Sequence, residues 1–164
     1  MRADRRPARA LAMALALLVV AGCGGGAPAA DDRRAAVAEH GAEVMPFDLD
    51  ATVHRFTPVD DGLVQVVVVR DPGDRRQIPL IRAHLAAEAD RFAAGDYGDP
   101  AHIHGAAMPG LAELEAGAAR IAITYADLAA GARITYTTGD PALVRALHRW
   151  GRAQVADHGA PASS

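Results

Sequence analysis

The sequence predicts an α+β domain built from a repeated ββα unit, in which a four-stranded antiparallel sheet carries two helices on one face. In each half of the chain, two segments with the composition of strands precede one helical segment. An Asp-Pro pair follows the second strand of each half, at residues 71–72 and 140–141. The sequence LIRA at 80–83 also matches LVRA at 143–146. Self-similarity of this kind indicates an internal repeat.

Turn and cap signals place the boundaries of these elements. The strands are predicted at residues 52–57, 63–70, 120–125 and 133–137, and the helices at residues 78–94 and 141–157. An Asp-Asp-Gly sequence at 60–62 is typical of a hairpin turn, and Gly95 ends the first helix. Asp140 is a suitable N-cap for the second helix, because proline occupies the next position, the first of the helix.

The N-terminal residues resemble the export signal of a bacterial lipoprotein. Four arginines precede an apolar run at 11–20 that is too short to span a bilayer as a permanent helix. The sequence Val-Ala-Gly-Cys at 20–23 resembles a lipobox, in which the cysteine thiol takes up diacylglycerol. We therefore expect a signal peptide at 1–22, lipidation of Cys23 and attachment to the cell envelope, on the periplasmic side of the outer membrane in a Gram-negative host. An ordinary secretory signal with an incidental cysteine is the alternative.

Composition limits the chemistry that the exported part can perform. Cys23 is the single cysteine, so its lipidation would leave no thiol for a disulfide or a metal site. All 17 basic residues are arginine, and removal of the first 22 residues leaves 13 basic and 19 acidic residues, a formal charge of −6. This acidic balance argues against nucleic-acid binding. We expect a flexible tether at 23–44, one α+β domain at 45–159 and a disordered tail at 160–164. Within the tether, the charged and alanine-rich residues 31–43 are a candidate for a short helix.

Polar residues interrupt the apolar stripe of the first predicted helix. His84 and Glu88 are four residues apart, so they are neighbours on one helical face, and they lie within the stripe of Ile81, Leu85 and Phe92. A carboxylate that faces a core is costly unless it is paired or binds a metal. A hydrogen-bonded structural pair is the alternative to a functional site.

Two further histidines are expected near the same layer. On the second predicted helix, His148 lies at the edge of the apolar stripe around Trp150, and Gln154 lies inside that stripe. His54 alternates in phase with Phe56, which places it on the inner face of the sheet. Together with the pair on the first helix, these histidines would form a polar cluster. A role for His148 in covering Trp150 is the alternative.

The segment 99–110 between the two halves contains three more candidate donors. In an extended segment, His102 and His104 point the same way, and Met108 can fold back through Gly105. Imidazole and thioether together suit copper, particularly Cu(I), and a thioether also coordinates haem iron. Ordinary loop and turn residues are the alternative, and His40 and His158, near the two ends, are expected to face solvent.

The first hypothesis is therefore a domain that binds or senses a metal ion, with copper favoured over haem or zinc. The candidate ligands are His54, His84, Glu88, His104, Met108 and His148. A second hypothesis is a non-enzymatic envelope module with structural histidines, whose protein partner the sequence does not indicate. A third is a small enzyme that uses His84 and Glu88 as acid and base. The chain lacks a nucleophile elbow, a phosphate-binding loop and a His-Glu-x-x-His helix, which favours a non-enzymatic role.

Three segments also carry a resemblance to known sequences. They are DP…IRAHL at 71–85, GD…DP…IHG…MPGL at 95–111 and LHRW…AQ…DHG at 147–159. Together they resemble a family of small exported bacterial proteins that are often labelled "aspartate carbamoyltransferase" in genome listings. The resemblance covers residues 47–159 and implies a domain of that extent. It carries no catalytic residue, because the chain lacks the Ser-Thr-Arg-Thr loop and the His-Pro-x-Gln motif of the transferase.

Overall fold

The structure, a computed structural model, describes residues 30–158 and 162–163. Its helices are α1 (Ala30–Val44), α2 (Gln77–Ala93), α3 (Gly98–His104), α4 (Leu111–Gly117) and α5 (Pro141–His158). Its strands are β1 (Thr52–Val59), β2 (Gly62–Val69), β3 (Ala122–Leu128), β4 (Gly131–Thr137) and β5 (Ala162–Ser163). The predicted signal and Cys23 lie outside the described residues. Within the described ranges, no helix is long and apolar enough to cross a membrane.

The predicted fold class is confirmed. Strands β3, β4, β2 and β1 form an antiparallel sheet in that order, and the order strand–strand–helix occurs in both halves of the chain. Helix α2 packs across β3 and β4, and α5 packs across β1 and β2. The short strand β5 adds a parallel partner to β1, with Ala162 opposite His54. Residues 162–163 of the predicted disordered tail therefore belong to the sheet.

The sheet is two-sided because its side chains alternate between the core and the opposite face. On β2, Leu63 and Val67 are fully buried under the helices, whereas Val64 and Val66 are only partly buried on the face that no helix covers among the described residues. Alternation therefore explains why the unbroken valine run at 66–69 fits a sheet in which helices cover only one face.

An aromatic cluster joins the two halves of the domain. The indole of Trp150, from α5, makes edge-to-face contacts with ring centroids 5.7 to 6.3 Å away, on Phe56, Phe92, Tyr97 and Tyr136. Edge-to-face contacts of this kind add stability beyond the area that the rings bury. The cluster gives the pocket described below a rigid wall.

Two segments differ from the prediction. The tether predicted at 23–44 becomes helix α1 from Ala30 onward, although the helix buries only Val37 and Gly41. The segment expected to be extended forms helix α3, with Pro100 in its first turn. Proline is tolerated there because the amide groups of a first helical turn have no partner within the helix.

Candidate functional site: a histidine-lined pocket

A pocket that is partly open to solvent lies between the sheet, helices α2 and α3 and the last turns of α5. Its polar lining consists of His54, Gln65, His84, Glu88, Asp99, His104, Gln154 and His158. Its apolar wall includes Met45, Phe47, Phe56, Val67, Leu85 and Trp150. Four of the seven histidines of the chain therefore face one cavity, and they come from four different elements.

His104 is held in a defined orientation at the end of helix α3. The helix ends at Gly105, whose φ of 87° is readily adopted only by glycine. The Nδ1 atom of His104 lies 2.9 Å from Oδ2 of Asp157, and a carboxylate can only accept, so Nδ1 carries the proton and donates it. Asp157 in turn accepts two hydrogen bonds of 2.6 Å from Nε and Nη2 of Arg33. The chain Arg33–Asp157–His104 therefore fixes both the ring and its tautomer.

The second nitrogen of His104, Nε2, is buried beside Gln154. This atom has no hydrogen-bond partner within normal distance and angle limits, although Gln154 lies near enough to affect the pKa of the ring. Burial lowers the pKa of His104, and the neighbouring Asp157 only partly opposes this effect. Near neutral pH the ring is therefore uncharged and keeps an available lone pair on Nε2.

His158 and His54 lie beside this ring. The ring centroid of His158 is 4.8 Å from that of His104 and 5.8 Å from that of His54. Burial, assisted by the neighbouring histidines, lowers the pKa of His54 to about 4 and that of His158 to about 3. The three rings are consequently uncharged near neutral pH, which is the state in which an imidazole binds a metal.

The other end of the pocket is acidic. Nη2 of Arg91 donates to Oε1 of Glu88 at 2.5 Å and to Oδ2 of Asp99 at 2.7 Å. Burial and the adjacent Asp99 raise the pKa of Glu88 to about 7, although Arg91 opposes the shift. Glu88 thus has the partner that its inward position requires, and this partner is Arg91 rather than His84.

His84 lines the pocket between these two ends. Its ring meets Phe47 edge-on, with centroids 5.7 Å apart. Burial lowers the pKa of His84, while Asp99 raises it and Arg91 lowers it. The predicted residues His54, His84, Glu88 and His104 are therefore brought together around one cavity.

Two predicted ligands lie elsewhere. Met108 is buried in the hydrophobic core and does not line the pocket. His148 lies at the β1–β2 hairpin, where its Nε2 is 3.0 Å from the carbonyl oxygen of Val59 and 2.9 Å from that of Gly62. Because carbonyl oxygens only accept, Nε2 of His148 is the donor, and the residue holds the hairpin turn.

The expectation that the side chains of His102 and His104 point the same way is wrong. It assumed an extended segment, but in helix α3 two residues separated by two positions point to different sides. The side chain of His104 is 1% exposed, whereas that of His102 is 52% exposed and bonds Glu43 on α1 at 2.8 Å. The imidazole of His40 lies beside that of His102, with ring centroids 5.1 Å apart and the ring planes tilted by 40°.

Sequence reasoning placed Gln154 in the stripe of the second helix but missed two residues after it, Asp157 and His158. His158 was expected to face solvent because it is close to the C-terminus. A helical wheel carried to the last turn would have found them, because Asp157 and His158 follow Trp150 by seven and eight positions and so lie on the same face of the helix. An apolar stripe that continues as three polar residues indicates that the helix end faces a polar cavity.

The arrangement can bind a metal only after some adjustment. Among the described residues, no three His, Cys, Asp or Glu side chains are already placed around a single point that could hold an ion. The pocket does offer three neutral imidazoles, in which the ring of His158 lies beside those of His104 and His54, and the Nε2 atom of His104 has no hydrogen bond of normal geometry. Comparison of the chain with family models, with curated proteins and with solved structures finds no match.

Proposed function

We propose that the chain is an exported, lipid-anchored envelope protein whose histidine-lined pocket binds a transition-metal ion. The ligands would be His104, His158 and His54, and solvent or a small exogenous ligand would complete the coordination. The proposal keeps the function expected from the sequence but changes the ligand set. It replaces Met108 and His148 with His158, and it assigns Glu88 and His84 to the remainder of the pocket wall.

The observation that carries the proposal is the state of His104. Histidines that bind metals usually donate their other ring N–H to a carboxylate or carbonyl group, which fixes the tautomer. His104 donates Nδ1–H to Asp157, and its Nε2 is buried in the pocket without a partner. A buried polar atom without a partner is unfavourable, and a metal ion would supply that partner.

The ring spacing supports the same ligand set. With metal–nitrogen distances of about 2.1 Å and ring radii of about 1.1 Å, two imidazoles on one tetrahedral ion have centroids about 5 Å apart. The distances from His158 to His104 and His54 are 4.8 and 5.8 Å. Because three donors do not yet converge, one ring must turn, and His158, in the last turn of α5, is the ring that we expect to move.

The donor set favours copper among the divalent ions. Imidazole ligands suit zinc, copper, iron and nickel, and affinity for a given nitrogen site is highest for Cu(II). The preference for Cu(I) expected from Met108 loses its support, because that thioether lies in the core. We therefore expect Cu(II) to bind more tightly than Zn(II) or Ni(II).

The test is a metal titration of the full chain, purified in detergent and stripped with a chelator. Isothermal titration with Cu(II), Zn(II) and Ni(II) should give one site with micromolar or tighter affinity, and His104→Ala should weaken it at least tenfold. His102→Ala is the matched control, since it removes an exposed imidazole from the same helix. Absence of saturable binding by all three metals, or equal affinity of the two variants, would refute the proposal.

The acidic end of the pocket favours a second candidate, general acid–base chemistry on a small molecule. Glu88 is buried, and its pKa of about 7 lies near the value at which a carboxyl group can both accept and donate a proton. A suitable probe is 5-nitrobenzisoxazole, which opens when a base removes its C3 proton. Turnover that is lost in Glu88→Gln and insensitive to chelator would favour this candidate over metal binding.

A further inference from the structure

Helix α1 contacts the domain at the site itself and, nearer its C-terminal end, through Glu43 and His40 against His102. The helix buries only Val37 and Gly41, so it has little apolar surface with which to pack. Its strongest contact is the guanidinium of Arg33, which bonds both carboxylate oxygens of Asp157 at 2.6 Å and the carbonyl oxygen of His104 at 3.3 Å. Arg33 is thus bound to the carboxylate that orients His104 and to the backbone of His104.

Helix α1 also covers the histidines from one side. Val37 lines a small cavity together with His54 and His158, and it lines a second cavity together with His104. All three proposed ligands therefore border space directly beneath this one helix. Movement of α1 away from the domain would expose the histidines to solvent and remove Arg33 from Asp157.

The contact between Arg33 and Asp157 has the geometry of a strong ion pair. Two parallel N–H···O bonds between guanidinium and carboxylate add directional specificity to the attraction of the charges. The side chain of Asp157 is only 9% exposed, whereas that of Arg33 is 43% exposed. Loss of Arg33 would leave a nearly buried carboxylate with the N–H of His104 as its remaining partner, which would change the position and basicity of that ring.

We infer that Arg33 is a positioning residue of the histidine pocket and that docking of α1 controls how tightly the pocket binds its metal. This inference rests on the proposed function. Binding and docking are then linked reciprocally: if the docked state binds the ion more tightly by a given factor, the bound ion favours docking by the same factor. Helix α1, which connects the predicted anchor to the domain, would thereby change the metal affinity of the pocket.

The test compares Arg33→Gln with Glu39→Gln in the full chain. Glu39 is an exposed residue of the same helix and lines none of the cavities that border the histidines. We expect Arg33→Gln to weaken Cu(II) binding by about 10- to 100-fold, as for other partners of metal ligands, and Glu39→Gln to change it less than twofold. Arg33→Lys, which keeps the charge but not the fork, should give an intermediate affinity.

A second measurement separates positioning from a general loss of stability. Hydrogen exchange of the amides at 30–44 should slow when Cu(II) saturates the wild-type protein, and this protection should disappear in Arg33→Gln. Asp157→Asn should reproduce both effects, and the double variant should be no weaker than either single variant, because the two residues act through one contact.

The outcomes distinguish the inference from the proposed function. Tight Cu(II) binding that is unchanged in Arg33→Gln, or wild-type α1 exchange that is unaffected by saturating Cu(II), would overturn the inference and leave metal binding intact. Failure of the wild-type protein to bind any metal would overturn both.

Discussion

Substitution of Glu88 by glutamine should make the stability of the protein less dependent on pH. Glutamine keeps the shape of the side chain and an oxygen that accepts from Arg91, but it cannot ionise. The wild-type carboxyl group has an ordinary pKa of 4.5 and a folded-state pKa raised to about 7, first of all by burial. A raised folded-state pKa means that the folded protein favours the neutral carboxyl group. The stability that this group contributes is therefore complete below about pH 4.5 and is lost as the pH rises to about 7.

The magnitude follows from the size of this shift. One pKa unit corresponds to about 1.4 kcal/mol, so ionisation of Glu88 costs the folded state about 3 kcal/mol once the pH exceeds the folded-state value. The advantage of Glu88→Gln over the wild type should therefore grow by about 2 to 3 kcal/mol between pH 5 and pH 8. The contributions of other titrating groups to the pH dependence of stability largely cancel in this comparison, because both proteins contain those groups.

Urea unfolding at pH 5 and pH 8, followed by circular dichroism, measures this difference. Asp90→Asn is the matched control, since Asp90 is an exposed carboxylate on the same helix. The pH-dependent gain should be larger for Glu88→Gln than for this control. A gain for Glu88→Gln that is smaller than about 0.5 kcal/mol, or one that is larger at pH 5, would refute the assignment of a buried, partly protonated carboxyl group.

Four further substitutions test the fold by urea unfolding. Gly62→Ala should cost about 3 kcal/mol or more, because a Cβ atom would lie 1.8 Å from the carbonyl oxygen of Tyr136. Gly139→Ala, where no atom lies within 4 Å of the new Cβ, should stay within about 0.5 kcal/mol of the wild type, and equal effects at the two positions would contradict the register. His148→Ala should cost about 1 to 3 kcal/mol, because two hairpin carbonyls lose their donor; an unchanged midpoint would argue against that contact. Trp150→Ala should cost about 3 to 5 kcal/mol, and a smaller loss would mean that the aromatic cluster is loosely packed.

The regular part of the fold was predictable because its signals are local. Alternation in the four strands, the hairpin turn and the Asp-Pro start of α5 each depend on residues that are adjacent in sequence. His54 lies on the inner face of β1, where its alternation with Phe56 places it. Helix α3 was missed because seven residues containing a proline resemble a loop, and the error rotated His102 and His104 relative to each other.

The site was only partly predictable because its decisive contacts are non-local. His84 and Glu88 were identified from a helical wheel, and both line the pocket. The partner of His104, Asp157, is separated from it by 53 positions, and Arg33 is separated from Asp157 by 124 positions. No periodicity in the sequence encodes such pairs. Side-chain type alone also could not distinguish His148, which holds a turn, from His158, which lines the pocket.

The hydrogen bonds of His148 affect the pocket through the alignment of strands β1 and β2, although His148 does not line the pocket. A hairpin in which one strand slides by a single residue exchanges every inward side chain for an outward one. In β1 such a slip would turn His54 toward solvent and bring Arg55 under the helices. By bonding the carbonyls of Val59 and Gly62, where the two strands meet, His148 favours the one alignment that keeps an imidazole in the cavity. His148, although remote from the pocket, therefore helps to keep His54 inside it.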